Sequence, residues 1–541
     1  MSADTAEVAF VGGPVATMDA ARSFSDAVAV RGGRITAVGR SAVRERVGPA
    51  TDVVELRGRL LLPGFHDAHA HPVYGGLERL RCDLTGAEDA RECLRLIAEH
   101  VRARPGPGWV LGGGWDMGWF PGGTPSRWDL DRITGDRPAY LLNRDHHGAW
   151  VNSAALRLAG IDRDTPDPAD GRIERDADGH PSGVLHEGAT RLLTPALAPT
   201  SPQEYLAGLL EGQRHLRERG VTMWHDAIVG PYLGYDDTLE TYLAADSRGL
   251  LTGKVRGALW WDRDRGTGQL DGLRQRRRRA RGRHFRADAV KIMQDGVCEN
   301  CTAAMLLPYL GSRGSGLSFV DSAELAAAVR ALDAEGFQLH FHAIGDRAVR
   351  DVLDALAGAR DRNGANDLRH QIAHVQVVHP SDIPRFHELR VTAVVQALWA
   401  VNDAAMTELT VPRLGHRRAG WQYPFRSLRA AGAVLAAGSD WPVSEADPML
   451  AVHAAVNRRE PGSDAEPFLP EQGIDLVDAL AAYTAGSAWV NHLDAETGSI
   501  EVGKAADLVV LDRDPFAEPA AEIGDALVDL TMVDGVVVHE R

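Results

Sequence analysis

Leu62-Pro63-Gly64-Phe65-His66-Asp67-Ala68-His69-Ala70-His71 ends a short apolar segment in two histidines one residue apart. On a β-strand, residues i and i+2 share a face. His69 and His71 therefore aim at one spot, and neutral imidazole is the commonest protein ligand for a transition metal. Downstream, the chain reads as strand then helix, repeatedly. The strands are Leu61–His69, Val221–Asp226, Lys254–Trp260, Ala289–Met293, Gln338–His342, Gln371–Val375, Thr392–Ala397 and Val434–Ser439. Helical stretches such as Ser322–Glu335, Arg347–Ala359 and Pro424–Ala431 separate them. Eight βα units predict a (β/α)8 TIM-like barrel. An open doubly wound sheet fits less well, because no Gly-rich dinucleotide fingerprint follows a strand.

The ends read differently. Val8–Val11, Ala27–Val30, Ile35–Val38 and Leu60–Leu62 near the start, and Ala506–Leu511 and Gly535–Val538 near the finish, are short β segments around tight turns. They predict a small β-sandwich domain from residues 1–62 plus 496–541, flanking a barrel at 63–495. The gap between His71 and Val221 is too long for a βα loop. It carries strand-like Trp109–Gly112 and Ala139–Leu142 and a helical Ser201–Arg219. It reads as a subdomain inserted after barrel strand one, at about 77–200.

The 541 residues carry ordinary soluble proportions, 44% hydrophobic and 25% charged, with a formal net charge of -16 that argues against nucleic acid or an anionic membrane as the main partner. The basic run Arg274–Arg286 reads as a solvated helix face. Four cysteines are no disulfide framework and suggest a reducing compartment. With no signal-like leader and no bilayer-length apolar run, a cytoplasmic protein is expected. A small-molecule substrate is the expected partner, and a homo-oligomer is compatible with these values.

Functional groups in such barrels sit at the C-terminal ends of strands. Strand one supplies His69 and His71, strand four Lys291, strand five His342, strand six His374 and strand eight Asp440. One strand-end histidine alone is more often structural; six such groups on one rim are not readily dismissed.

The ordered set resembles the metal-dependent amidohydrolase superfamily, over almost the whole chain. Pro63–His71 resembles its opening motif. Lys291-Ile292-Met293-Gln294-Asp295-Gly296, His342-Ala343-Ile344-Gly345-Asp346, Gly438-Ser439-Asp440-Trp441-Pro442 and Gly503–Leu511 resemble the branch containing N-substituted formamide deformylases. His66 departs from it, since the family often has Ile or Val there. The resemblance implies that His69 and His71 hold one metal with Asp440, that His342 and His374 hold a second, and that Lys291 bridges both as a carbamate. A free ammonium cannot ligate; unmodified, Lys291 would instead pair with Asp295 or Asp440 and leave a one-metal site. Zn²⁺ suits imidazole and carboxylate ligands. Such a metal acidifies a water to a pKa near about 7, and Asp440 would take its proton and pass it to the leaving nitrogen.

Of twelve tryptophans, five lie in the insertion and five near the ends of strands two, three, seven and eight. Trp115, Trp399 and Trp441 are candidates for an aromatic-lined pocket that takes an aromatic or apolar group, and the alternative is that these rings pack the insertion against the barrel. The resemblance places His147 and Asn152 in a recurrent motif near substrate, and Glu187 is a further candidate. Cys298-Glu299-Asn300-Cys301 lacks the second pair a zinc ribbon needs and reads as a loop leaving the rim. The leading function is hydrolysis of a non-peptide amide C–N bond. A deaminase or cyclic-amide hydrolase on the same barrel is the alternative, but a deaminase usually has a Glu near its strand-five His, and here Ala343-Ile344-Gly345-Asp346 follows His342. A non-catalytic scaffold would be expected to lose metal ligands, and none is lost.

Overall fold

The computed structural model describes residues 5–541. Eight strands form the central sheet: Phe65–Ala70, Val221–Val229, Lys254–Trp260, Phe285–Met293, Gln338–Ala343, Gln371–His374, Thr392–Val395 and Leu435–Ala437. Each pairs in parallel with the next. Beyond strand eight the backbone reaches strand one. The Asp440 N–H donates to His69 O at 2.7 Å, and the His71 N–H donates to Trp441 O at 2.8 Å. These bonds bring the sheet to a nearly closed (β/α)8 barrel, with helices outside. Helix Ser322–Ala334 shows why they lie there: Asp321 caps its first turn, and Leu325, Ala328, Val329 and Leu332 form one buried stripe.

The expected first strand, Leu61–His69, is two strands. Leu60–Pro63 pairs antiparallel with Leu508–Leu511, whereas Phe65–Ala70 enters the barrel. Pro63-Gly64 separates them. A Cβ on Gly64 would lie 2.3 Å from Thr222 Cγ2, so only glycine lets the chain cross so close to strand two.

The two chain ends meet in one continuous eight-stranded mixed sheet rather than in two separate ladders. The long strand Val8–Ala16 serves two neighbours: Val8–Val11 pair with Asp52–Glu55, and Val15 pairs with Leu61. Its core mixes both ends, with Phe10, Val28 and Leu61 against Leu508, Val510 and Met532. A third sheet, six-stranded, is built from strands between Cys82–Asp83 and Pro181–Glu187, in the stretch separating barrel strands one and two.

The basic run lies largely on helix Leu270–Arg279, where Arg274, Arg276 and Arg279 pair with Glu335, Asp237 and Glu240. Among the described residues no helix is long and apolar enough to cross a membrane.

The terminal sheet is pinned to the barrel by Lys254, at the start of strand three. Its Nζ lies 2.8 Å from Asp507 Oδ2 and 2.9 Å from Asp534 Oδ1, and Thr497 Oγ1 donates to the same Asp507 oxygen at 2.7 Å. The Asp507 carboxylate is fully buried. Removing one partner of a buried pair strands the other charge and costs about 3–5 kcal/mol. Lys254→Met should therefore lower the denaturation midpoint accordingly, and adding Asp507→Asn should recover part of the loss. A midpoint equal to wild type in Lys254→Met would show that this contact does not hold the sheet.

Candidate metal centre

The rim gathers all six residues expected there. His69, His71, Lys291, His342, His374 and Asp440 are buried and line one small cavity of about 30 Å³, together with Tyr74, His146, His147 and Tyr232. Asp440 is its hub. Its Oδ1 lies 3.0 Å from His71 Nε2 and 3.2 Å from His69 Nε2, and its Oδ2 lies 3.9 Å from His374 Nδ1. The His342 and His374 rings are 4.4 Å apart, and His342 Nε2 approaches Gly296 O at 3.2 Å.

Desolvation dominates the electrostatics. Burial holds His69, His342 and His374 well below the ordinary histidine value of 6.5, so their imidazoles are neutral near pH 7. Burial brings Lys291 down to about 7, against the opposing pull of Asp440 and Asp226. Burial also pushes Asp440 upward, but the close approach of His71 and the neighbouring His374 and Lys291 outweigh it and keep its carboxyl below the usual range.

This donor set fits a divalent cation. One nitrogen each of His69 and His374 and one oxygen of Asp440 lie within 4.8 Å of one another. Asp440 Oδ1 is buried and receives no hydrogen bond, although two imidazole nitrogens face it. Neutral imidazoles presenting lone pairs to an anionic oxygen repel; a cation between them turns that repulsion into ligation.

Two local devices aim these groups. His374 and Asp440 have φ of 78° and 58°, left-handed values that residues other than glycine seldom adopt. Asp67, fully buried one turn of the pleat before His69, clamps strand one to strand eight. Its Oδ1 accepts the N–H groups of His69 and Ser439, both at 3.0 Å, and its Oδ2 accepts the Ser439 hydroxyl at 2.5 Å.

The insertion closes one side. His147 Nδ1 lies 2.9 Å from both oxygens of Glu187, and the His147 ring is 5.2 Å from that of His342. Glu187, at φ 51°, also accepts from Thr302 Oγ1 at 2.7 Å and Asn300 Nδ2 at 3.4 Å. The loop after strand four, which holds Cys298 and Cys301, thus anchors Glu187. Burial pushes the Cys298 thiol well up, so it stays protonated.

A larger cavity of about 500 Å³ adjoins the nest and shares Asp145 and Val443 with it. Trp399 and Trp441 line it; Trp399 stacks on His374 at 5.1 Å and Trp441 on His215 at 4.6 Å. Glu299 and Asp403 line it too, pushed up by burial to about 7 and about 6. Two candidates lie elsewhere. Trp115 packs between Phe120 and Trp150 inside the insertion, donating to Leu141 O at 2.9 Å. Asn152 is a helix N-cap whose amide bonds Ala139, Ala155, Thr134 and Arg137, leaving nothing free for a substrate. Their sequence neighbourhood suggested the site, but packing and capping use up their polar atoms.

Sequence reasoning passed over Asp67, His146, His225 and His340. His340 was open to the same i, i+2 rule that selected His69 and His71, because it shares a strand face with His342. Asp67, two residues before His69, was open to that rule as well, whereas His146 offered no comparable signal.

The amidohydrolase family profile matches residues 52–539. The chain belongs to the amidohydrolase family. It is 32% identical over 540 residues to Protein LONG AFTER FAR-RED 3 of Arabidopsis thaliana, covering 98% of this chain and 91% of that protein. It is 29% identical over 551 residues to the N-substituted formamide deformylase of Arthrobacter pascens, covering 97% of each. An uncharacterized metal-dependent hydrolase from Pyrococcus horikoshii superposes with a TM-score of 0.73 at 26% identity, covering 95% of this chain and 99% of that one. This amidohydrolase is thus a metal-dependent hydrolase acting on carbon–nitrogen bonds.

The clamp predicts a measurable effect on the centre. Asp67→Ala frees two backbone N–H groups and a hydroxyl, each unmet group costing about 1–3 kcal/mol, and unfastens His69 from Asp440. Elemental analysis should show a fall in bound metal per chain while circular dichroism retains the barrel. Full metal content in Asp67→Ala would show that the clamp does not set the centre.

Proposed function

We propose that this amidohydrolase cleaves the amide C–N bond of an N-substituted formamide or a related acyl amide, with Asp440 as the proton carrier. The carrying observation is the convergence of anionic Asp440 with neutral His69, His71 and His374 beside an aromatic-walled cavity. The likeness to the formamide deformylase supports the substrate class. Zn²⁺ is the proposed metal, with His69, His71 and Asp440 holding one ion and His342 and His374 a second. Lys291, once carboxylated, would offer its carbamate oxygens as ligands to both, which its amine favours: at about 7, burial leaves much of it neutral and able to add carbon dioxide near neutral pH. When bound, such ions supply Lewis acidity that polarises a carbonyl and acidifies water.

The chain's own groups do the rest. Asp440 stays ionised and accepts the proton that the attacking water loses as its oxygen bonds the carbonyl carbon. It then delivers that proton to the nitrogen as the C–N bond breaks, releasing an acid and an amine. His147, held by both oxygens of Glu187, is placed to orient the substrate. Trp399 and Trp441 receive an aromatic or apolar substituent. We place the enzyme in the cytoplasm and keep the division into a small β domain (1–62 plus 496–541) and a barrel (63–495) with its insertion at about 77–200.

A hydrolysis screen of N-substituted formamides and acyl amides with zinc-loaded enzyme tests this reading, with amine and acid both quantified. Asp440→Asn should lower turnover about 10²–10⁴-fold with the fold intact; near wild-type turnover would remove Asp440 from the chemistry. Preference for small polar amides would defeat the aromatic pocket, and release of ammonia in place of a substituted amine would turn the assignment to deamination.

Acid titration gives a further check. The folded pKa values of His69, His342 and His374 lie below 6.5, so their neutral, ligating forms persist as pH falls through 6.5 and are lost only below it. Bound metal, measured after dialysis at stepped pH, should survive that point; release centred at 6.5 would contradict the depressed values.

A further inference from the structure

An amide bond is neutral, yet the cavity of about 500 Å³ beside the centre is strongly acidic. Eight carboxylate side chains line it and only two guanidiniums, Arg79 and Arg144. Both guanidiniums are taken: Arg79 Nε lies 2.9 Å from Glu211 Oε1, and Arg144 Nη1 lies 3.1 Å from Asp116 Oδ2. Two of the carboxylates have no countercharge. Glu299, on the loop after strand four, accepts from Thr410 Oγ1 at 3.0 Å. Asp403, between strands seven and eight, accepts from the Met406 N–H at 2.6 Å. Among the described residues no basic side chain lies within ion-pair distance of either.

Their surroundings deepen the deficit of positive charge. Glu299 faces the charge of Asp145 and Asp403, and Asp403 faces that of Asp116 and Glu460. Burial is the larger influence on each and acts in the same direction, bringing them to about 7 and about 6. Tyr423 stands with them. It is 1% exposed and lines the same cavity, and its hydroxyl makes no hydrogen bond among the described residues. Burial first, and then the charges of Glu299, Cys298 and Asp403, push its ionisation well up. A buried hydroxyl left unmet is unfavourable, and so are like charges in one desolvated wall. A positively charged guest relieves both.

An ammonium fits these groups by number as well as by sign. It has three N–H donors and no acceptor, and two carboxylates with a phenol oxygen can all accept. Trp399 and Trp441 line the cavity too, and indole faces attract a cation as well as an apolar ring. Trp399 stacks on His374 at 5.1 Å, so the aromatic wall runs from the centre into the acidic cavity.

We propose that the amide substrate carries a protonated amine at the far end of its nitrogen substituent, received by Glu299, Asp403 and Tyr423, which are the specificity-determining residues of this cavity. The proposal rests on the reading of the centre as that of an amide hydrolase. A formyl group is small, so the bulk that fills the cavity belongs to the nitrogen substituent, and the cation sits there. The same charges disfavour a substrate with a free carboxylate.

Two formamides of matched shape test it. N-(para-aminomethylbenzyl)formamide and N-(para-ethylbenzyl)formamide differ by one positive charge. With zinc-loaded wild-type enzyme near neutral pH, kcat/KM should favour the cationic compound about 10–100-fold, chiefly through KM, as expected for one charge-assisted contact. Glu299→Gln combined with Asp403→Asn should shrink that ratio towards one, and Tyr423→Phe should lower it by a smaller factor. The ratio is internal to each variant, so a general loss of activity does not mimic the effect, and Glu299→Gln alone covers the case in which the double variant does not fold. Equal kcat/KM values in wild type, a preference for the ethyl compound, or an unchanged ratio in the carboxylate variants would overturn the proposal. If neither compound is hydrolysed, calorimetry on the same wild-type protein reads the two dissociation constants. Tighter binding of the cationic compound then upholds the cation site while the formamide reading falls; equal binding, or none, overturns the cation site.

Discussion

A buried carboxylate, Asp67, decides where the two halves of the centre meet. Barrel closure in this fold has a weak point between strand eight, only three residues long, and strand one. Asp67 spans it by accepting from Ser439 and from His69 together. The same bonds bring the backbone of Asp440 to 2.7 Å from His69 O. Closing the barrel and setting the distance between His69 and Asp440 are thus one event, and a change in either moves the other. Burial raises the Asp67 carboxyl to about 7 even against the donors from Ser439 and His69, which favour its charged form. A neutral side chain of the same shape could not accept at both oxygens, which is the physical reason for a carboxylate there.

The barrel and its rim were legible in the sequence because both rest on local rules. Lys254–Trp260 was read with the bounds it has, and the strands that carry Lys291, His342 and His374 were placed to within a few residues. Period-two alternation and strand-end position need no tertiary knowledge. The misplacements have a common cause. Leu61–His69 was read as one strand because apolar residues run through Pro63-Gly64, whereas the division depends on Thr222, far away in sequence, pressing on Gly64. The terminal sheet was anticipated from both ends, but its continuity depends on Val8–Ala16 pairing with two partners, which alternation alone does not encode. Asn152 and Trp115 were drawn toward the substrate by their neighbours. An amide that caps a helix and an indole that fills a core look the same in sequence as ones that bind a ligand.

Backbone conformation adds what residue type omits. His146, Glu187, His374 and Asp440 all have positive φ, between 51° and 78°, and all lie at or against the nest. Each such position costs on the order of 1–3 kcal/mol, and surrounding contacts hold them: Asp67 and Ser439 beside Asp440, Gln396 Oε1 accepting the His374 N–H at 2.9 Å, Thr302 and Asn300 on Glu187. The insertion and the barrel therefore contribute to the centre in the same manner, by bending the chain out of its preferred region at the point where a side chain must turn inward.

One cause, removal from water, underlies the chemistry of the whole group. It keeps His69, His342 and His374 neutral, so that they offer lone pairs in place of charge. It draws Lys291 down to about 7. Acting alone, it would also protonate Asp440, and the site would lose its anion. That does not happen because His71 and His374 lie close to Asp440 and the cationic form of Lys291 lies near it. The carboxylate and the amine thus oppose desolvation in each other. Neutralising Lys291 removes part of what keeps Asp440 ionised, so a site with Lys291 uncharged depends all the more on the positive charge of a metal. Imidazoles, carboxylate and amine are tuned together, and altering one shifts the protonation of the others.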